Sequence, residues 1–200
     1  MEKIKWILSD LGGVVTQLAF TNPDGYRYKT RYFRKEDLEG FFLTKDYAHY
    51  MLGLISHEQC VGKYLARKKL DLSVAEFDEL YKNNLIPNEE VIELYKKMAE
   101  KYKIALVTNE GKLLMKYRVE GAGIMPYLSK IIPSYLVREV KPSPDFYKKT
   151  LSILDTKPDE CIFIDDLPAN ISGAQDFGIK SILFTTAIKL EADLVQLQLI

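Results

Sequence analysis

Residues 4–15 read IKWILSDLGGVV, and this stretch decides the fold. The apolar run at residues 4–8 is short and leads directly to Ser9 and Asp10, with glycines at positions 12 and 13. A short, almost continuously apolar run is typical of a strand buried on both faces, as in a parallel sheet. The stretch therefore predicts a buried first strand that delivers the Asp10 carboxylate to one edge of a sheet.

Further apolar runs follow along the chain and alternate with helical patterns. The runs that we interpret as strands lie at residues 104–107, 131–132, 161–164 and 181–184. The helical patterns cover residues 88–102, 111–120, 143–154 and 168–177. Proline behind a serine cap at Ser143-Pro144 is a typical helix start. This alternation predicts a doubly wound α/β core around a parallel sheet.

The first crossover is much longer than the others and has a different pattern. Ser56 and Ser73 are each followed three residues later by Gln59 and Glu76, which are capping boxes at the start of helical patterns. We therefore interpret residues 16–86 as a helical cap, inserted into a core formed by residues 1–15 and 87–200. The polar, proline-containing stretch at residues 83–88 is the expected hinge back to the core.

The composition restricts the class of protein. The 200 residues contain 28 Lys+Arg and 28 Asp+Glu, so no net charge favours a nucleic acid or an acidic membrane as partner. Cys60 and Cys161 match neither a disulfide framework nor a metal pattern. No apolar run approaches the roughly 18–20 residues of a membrane span. We expect a soluble, cytoplasmic protein whose oligomeric state the sequence leaves open.

One stretch of the cap interleaves aromatic and basic residues. Residues 26–35 read YRYKTRYFRK, a pattern that single-stranded nucleic-acid sites also use. The neutral total charge favours two other interpretations, a polar face of the cap or a lip that meets an anionic substrate.

Polar side chains collect where the predicted strands end. In a parallel sheet the carboxyl ends of neighbouring strands share one edge, and ligands bind there. The groups that reach this edge are Ser9-Asp10, Thr108-Asn109, Asp165-Asp166 and, from the loop before a helix, Lys141. Clustered carboxylates repel one another unless a cation lies among them, and oxygen ligands suit Mg²⁺. A lysine and short hydrogen-bond donors beside that cation describe a site for an oxyanion such as phosphate.

The order and spacing of these motifs resemble the haloacid dehalogenase (HAD) superfamily. The four motifs that carry the resemblance are DLGGVV at residues 10–15, Thr108-Asn109, Lys141-Pro142 and DDLPAN at residues 165–170. The likeness extends from residue 4 to about residue 186. It implies a Rossmann-like three-layer α/β/α core with a parallel sheet, and a small helical-bundle cap of the C1 type inserted after the first strand.

The resemblance also implies the roles of the motif residues in a magnesium-dependent phosphohydrolase. Asp10 would attack phosphorus and form an aspartyl-phosphate, which divides one displacement into two. The Asp10 carboxylate, the Gly12 carbonyl and Asp166 would bind Mg²⁺, with Asp165 bound directly or through water. Lys141 would act in catalysis beside the phosphate-binding groups Thr108, Asn109 and Gly13, and Asn170 would support the loop of the paired aspartates.

Position 12 departs from the usual phosphatase pattern of the family. A second aspartate normally stands there as general acid and base, a contribution worth roughly 10²–10⁴-fold, and this chain has Gly12. Similar phosphatases that share this variant act on substrates such as sugar 1-phosphates. Asp46, His49 or an ordered water could replace the missing group.

Gly12 also leaves two alternatives to a phosphatase of small phosphate esters. One is a 2-haloacid dehalogenase, or another relative that cleaves C–X or C–P bonds. The other is a phosphate-binding regulatory protein with little turnover.

Overall fold

The computed structural model describes residues 4–17 and 20–200, in which seven strands form two sheets. The strands are β1 (Trp6–Ser9), β2 (Tyr26–Tyr28), β3 (Arg31–Phe33), β4 (Lys103–Thr108), β5 (Lys130–Pro133), β6 (Cys161–Asp165) and β7 (Lys180–Leu183). The large sheet has the order β5-β4-β1-β6-β7 and all its pairs are parallel. The five strands predicted from apolar runs are therefore confirmed.

Helices connect these strands in the predicted alternation. They are α1 (Lys35–Glu39), α2 (Lys45–Met51), α3 (His57–Lys68), α4 (Val74–Asn83), α5 (Glu89–Ala99), α6 (Lys112–Ala122), α7 (Ser134–Val137), α8 (Pro144–Leu154), α9 (Pro168–Asp176) and α10 (Ala187–Gln196). Short 3-10 turns span Gly40–Leu43, Met125–Tyr127 and Pro158–Glu160. Helix α10 was not predicted, although Thr186 caps it by accepting a hydrogen bond from the Lys189 N–H.

The core of the protein has three layers because both faces of the large sheet are apolar. Side chains that alternate along β1 pack on opposite faces, Ile7 against α5, α6 and α10, and Leu8 against α8 and α9. Neighbouring strands follow the same alternation, with Ile104 and Phe163 on opposite faces. This arrangement confirms the predicted Rossmann-like α/β/α fold with its parallel sheet.

The cap contains an antiparallel hairpin, so the prediction of a purely helical insertion was wrong in this detail. Strands β2 and β3 pair Tyr26 with Phe33 and Tyr28 with Arg31. Aromatic and basic side chains alternate along β2 because they lie on opposite faces of the hairpin. Tyr26 and Tyr28 are buried in the cap core together with Phe33 of β3, whereas Arg27 is exposed. The pattern is thus that of a half-buried strand pair.

Helices α1–α4 and the hairpin enclose a second, aromatic core. Phe41 lies at its centre, with ring centroids 5.1 Å from Phe77 and 5.4 Å from Tyr64. Both predicted capping boxes are present, because Ser56 and Ser73 start α3 and α4 as expected.

Two short connections join the cap to the core and pair with each other. Thr16 forms an antiparallel bridge with Pro87, and the Asn88 N–H donates to the Val15 carbonyl at 2.8 Å. We propose that residues 16–86 and the remainder of the chain are two structural units that meet at this paired connection. In the described part of the chain, no helix has both the length and the apolar character needed to cross a membrane, and a cytoplasmic location stays a prediction.

Candidate active site

The central strand of the sheet places Asp10 between the other motif residues. Strand β1 lies between β4 and β6, and Ser9 is in register with Leu106 on one side and Ile164 on the other. The carboxyl ends of the three strands therefore form one edge, as predicted, with Asp10 in the middle.

Lys141 bridges two of the three carboxylates at this edge. Its Nζ lies 3.0 Å from Asp10 Oδ1 and 2.6 Å from Asp165 Oδ2, and the side chain is completely buried. Burial alone would lower the pKa of Lys141, but the Asp10 and Asp165 carboxylates outweigh it and the pKa is raised. The ammonium group therefore stays charged between its partners.

The side chain of Asn109 holds the backbone of Lys141. Its Oδ1 accepts the Lys141 N–H at 2.8 Å and its Nδ2 donates to the Lys141 carbonyl at 2.9 Å. Both polar ends of the amide are thus engaged by one residue from another loop. This contact fixes where the Lys141 side chain starts, whereas the resemblance predicts that Asn109 binds phosphate.

Asp165 is fixed by the loop that follows it. Its Oδ1 accepts hydrogen bonds from the Leu167 N–H and from Asn170 Nδ2, both at 2.9 Å. Since Lys141 takes Oδ2, both oxygens of this fully buried carboxylate have protein partners. The contact of Asn170 is of the kind that the sequence predicts for a residue supporting this loop.

Asp166 faces the cavity beside Asp10 and is the carboxylate that most needs a cation. Burial, together with the charges of Asp10 and Asp165, raises its pKa to about 6. One oxygen each of Asp10, Asp165 and Asp166 lie within 4.8 Å of one another. Clustered oxygen donors with uncompensated negative charge fit a hard divalent cation such as Mg²⁺.

Gly13 makes room for this carboxylate. The glycine has a φ of +83°, and a β-carbon built on it would lie 2.2 Å from Asp166 Oδ2. Only a residue without a side chain permits both the turn and the approach of Asp166.

A cavity of about 410 Å³ opens over these groups, between the core and the cap. Its core-side lining contains Asp10, Gly12, Thr108, Asn109, Glu110, Arg118, Lys141, Asp166, Leu167 and Asn170. Its cap-side lining contains Thr21, Glu39, Phe42, Leu43 and Tyr47. The predicted phosphate-binding and metal-binding positions thus surround one space, apart from Gly13 and Asp165, which are not part of its lining.

The structure adds a buried ion pair that sequence reasoning missed. Arg118 Nε lies 3.3 Å from Glu110 Oε2, and both side chains are 5% exposed. The hydroxyl of Tyr47 donates to Glu110 Oε1 at 2.6 Å and so connects the cap to this pair. The sequence did contain a sign of this ion pair, because Arg118 is a charged residue on the buried face of α6, beside Leu114 and Val119.

The two cap residues considered as substitutes for the missing acid do not reach the cavity. Asp46 is paired with Lys63 and Arg67 at 3.3 and 2.8 Å, and His49 is exposed. Both lie on α2, whose cavity-facing position is Tyr47. The interpretation of Asp46 or His49 as stand-ins was therefore wrong.

The basic residues of the hairpin are not a lip of the cavity either. Arg31 pairs with Glu76 at 2.6 Å, and Arg34 pairs with Asp37 at 3.0 Å. These contacts bind the hairpin and the start of α1 to cap acids, and the cavity lining named above contains none of residues 26–35.

Comparison with protein families assigns the chain to a known group. The model of the haloacid dehalogenase-like hydrolases matches residues 28–184. The chain therefore belongs to this family of hydrolases, and the predicted superfamily is confirmed.

Two kinds of named relatives match different shares of the chain. Flavin mononucleotide hydrolase 1 of Arabidopsis thaliana is 38% identical over 71 residues, which cover 36% of this chain and 29% of that protein. Pyrophosphatase PpaX of Bacillus mycoides is 24% identical over 195 residues, which cover 94% of this chain and 86% of that protein. PpaX of Bacillus cereus matches over 55% of its length at 26% identity. The chain thus spans less than a third of the first relative and about half or more of the others.

Solved structures share the fold. A family enzyme of Bacteroides thetaiotaomicron, in complex with magnesium and inorganic phosphate, superposes with a TM-score of 0.72 at 23% identity, over 92% of this chain and 95% of that chain. The L-2-haloacid dehalogenase of Xanthobacter autotrophicus superposes with a TM-score of 0.68 at 19% identity, over 96% and 83%. At these identities the likeness establishes the architecture alone.

Proposed function

We propose that the chain is a magnesium-dependent phosphatase that hydrolyses a small phosphorylated metabolite through a phosphoryl group carried on Asp10. The observation that carries the proposal is Lys141, whose ammonium lies between Asp10 and Asp165 at the edge of the cavity. A cation fixed beside a nucleophilic carboxylate offsets the charge of a transferring phosphoryl group. The relatives named pyrophosphatase and flavin mononucleotide hydrolase support a phosphate compound as substrate.

In this proposal Asp10 attacks phosphorus, and water then releases phosphate from the aspartyl-phosphate. The Leu11 N–H and Lys141 both contact Asp10 Oδ1, at 2.7 and 3.0 Å, so the carboxylate has a fixed direction for attack. Thr108 and Lys141 bind the phosphoryl oxygens, and Asn109 acts through its hold on Lys141.

Asp10, Asp166 and the Gly12 carbonyl are the groups that would hold Mg²⁺. Since Asp165 already has partners on both oxygens, we propose that it contacts the ion through water. The ion would supply charge neutralisation at the phosphoryl group. The bound magnesium and phosphate of the Bacteroides thetaiotaomicron enzyme support this assignment.

The direct test is hydrolysis of p-nitrophenyl phosphate and a panel of phosphate esters, sugar phosphates included, by dialysed protein with and without Mg²⁺. We expect turnover only with Mg²⁺, and its loss in Asp10→Asn. Asp24→Asn, a change in an exposed carboxylate of the cap, is the matched control and retains the activity. Absence of turnover on the whole panel would contradict the proposal.

Gly12 is the observation that favours the two alternatives. A 2-haloacid dehalogenase needs no general acid at this position. A phosphate-binding regulator would have lost its turnover when the general acid was replaced by Gly12. Halide release that persists in EDTA identifies the first alternative. Tight phosphate binding without hydrolysis, unrepaired by Gly12→Asp, identifies the second.

A further inference from the structure

The space above Gly12 is bordered by the guanidinium group of Arg118. A β-carbon built on Gly12 would lie 3.5 Å from Arg118 Nη1 and 3.6 Å from Cζ. Both residues line the cavity that also contains Asp10 and Lys141. A side chain at position 12 would therefore extend towards a positive charge beside the reaction site.

The orientation of Arg118 is fixed from three sides. Its Nη1 donates to Thr16 Oγ1 at 2.8 Å and to the Gln17 carbonyl at 3.0 Å, and its Nε faces Glu110. Glu110 is itself held by Tyr47 and by the Gly111 N–H at 3.1 Å. The cation is thus placed before any substrate arrives, which is the condition for electrostatic stabilisation without reorganisation.

A buried ion pair of this kind is weak evidence for stability. Removing two charges from water is expensive, and their mutual attraction often does no more than offset that expense. The Nε atom of Arg118 is buried without a hydrogen-bond partner among the described residues, so its pairing with Glu110 is electrostatic. A charged pair in the wall of a reaction cavity therefore indicates a role towards the ligand.

We infer that Arg118 stabilises the leaving group, and that the enzyme prefers phosphoryl compounds whose leaving group departs as an oxyanion, namely phosphoanhydrides and acyl phosphates. This inference rests on the proposed phosphatase function. It replaces proton donation, which Gly12 cannot perform, with a fixed positive charge at the adjacent position.

The reaction balances without a general acid. An Asp10 oxygen forms a bond to phosphorus while the bond from phosphorus to the leaving oxygen breaks, and its electron pair stays on that oxygen. The leaving group departs as phosphate or carboxylate anion beside Arg118. Water then attacks the phosphorus of the aspartyl-phosphate, leaves one proton on the released phosphate, and gives the other to solvent.

The same arrangement explains why position 12 has a glycine and not a general acid. General acid help is worth roughly 10²–10⁴-fold for a leaving group that needs a proton, such as an alkoxide, and little for one that is stable as an anion. An aspartate at position 12 would place a second carboxylate, in addition to Glu110, against Arg118 and would weaken its attraction for the departing anion.

The experiment compares kcat/KM for inorganic pyrophosphate, acetyl phosphate, p-nitrophenyl phosphate and glycerol phosphate with saturating Mg²⁺. Wild type is expected to prefer pyrophosphate and acetyl phosphate over glycerol phosphate by roughly 10²-fold or more. Arg118→Gln retains an amide for Thr16 and Gln17 but removes the charge. We expect it to lose roughly 10²-fold on pyrophosphate, acetyl phosphate and p-nitrophenyl phosphate, whose leaving groups depart as stable anions, and much less on glycerol phosphate.

Arg118→Gln leaves Glu110 buried without its cation, so the double variant Arg118→Gln/Glu110→Gln is measured as well. It should show the same selective loss, and Gly12→Asp should shift preference towards glycerol phosphate. Equal losses on all four substrates, or a wild type that turns over glycerol phosphate as well as pyrophosphate, would overturn the inference and leave the phosphatase function standing. A wild type without turnover on any substrate overturns both.

Discussion

The carboxylate of Asp166 lies against the α-carbon of Gly13, so closely that a β-carbon on Gly13 would be 2.2 Å from Asp166 Oδ2. This contact joins the loop after β1 to the loop after β6, the two loops that carry the proposed metal ligands. The direction of the Asp166 side chain therefore depends on a residue that has no side chain of its own.

Gly13→Ala is expected to displace Asp166 and to weaken Mg²⁺ binding strongly. The added carbon collides with the carboxylate, and φ of +83° also disfavours an L side chain. Calorimetric titration with Mg²⁺ measures the loss. Gly123→Ala is the matched control, because Gly123 has a φ of +62° with nothing within 4 Å of the added carbon. Equal Mg²⁺ affinity in the two variants would show that the Gly13 contact does not position Asp166.

Asp166→Asn is expected to stabilise the metal-free protein at neutral pH and to remove its response to Mg²⁺. The pKa of Asp166 is raised from 3.8 to about 6, so the folded chain holds a proton in this window that the unfolded chain has lost. Stability therefore falls as pH rises from about 4 to about 6, and the variant avoids this loss. After discounting for solvent access, we expect a gain of about 1–2 kcal/mol at neutral pH that vanishes near pH 4.

Urea unfolding at several pH values, with and without Mg²⁺, measures this effect. Wild type should gain stability on addition of Mg²⁺, and the variant should not. A variant that is less stable than wild type at neutral pH in EDTA would contradict the account of an uncompensated carboxylate.

Lys141→Met is expected to destabilise the fold by about 3–5 kcal/mol in EDTA, because it leaves Asp10 and Asp165 buried without their cation. Chemical unfolding measures the change. Lys149→Met is the control, since the Lys149 side chain is 45% exposed and its pair with Glu139 is worth about 1 kcal/mol at most. Similar losses in the two variants would mean that Lys141 does not compensate buried charge.

Tyr47→Phe tests the contact between cap and core. The change removes the hydrogen bond to the buried Glu110 carboxylate, and we expect a loss of about 1–3 kcal/mol in unfolding free energy. Tyr32→Phe removes a hydroxyl from an exposed ring that donates to the Asp24 carbonyl, and should change stability by less than about 0.5 kcal/mol. An unchanged unfolding free energy in Tyr47→Phe would show that the hydrogen bond from Tyr47 to Glu110 does not stabilise the contact between cap and core.

The sequence was sufficient for the sheet and for the carboxylates at its edge. Buried strands of a parallel sheet are apolar on both faces, so runs such as residues 161–164 are visible without any tertiary information. The two residues after such a run lie at the shared edge, which is why Ser9-Asp10 and Asp165-Asp166 could be placed before the structure was known.

The contacts that orient the side chains of the site could not be predicted because they join residues that are distant in the sequence. Asn109 holds Lys141 through a pair of hydrogen bonds between two loops, and nothing in either motif indicates that the amide turns to the backbone. Arg118 meets Gly12 only because α6 packs beside the connection at residues 15–17. The hairpin was missed because its strands have three residues each, too few for a clear alternation.

The most direct test of the account is to identify the residue that carries the phosphoryl group. The protein is mixed with substrate and Mg²⁺, quenched in acid within one turnover, digested and analysed by mass spectrometry. The account predicts a phosphoryl group on the peptide containing Asp10, located at Asp10 by fragmentation and absent when the substrate is exhausted before the quench. Phosphate release with a phosphoryl group on another residue, or with none in the first turnover, would contradict it.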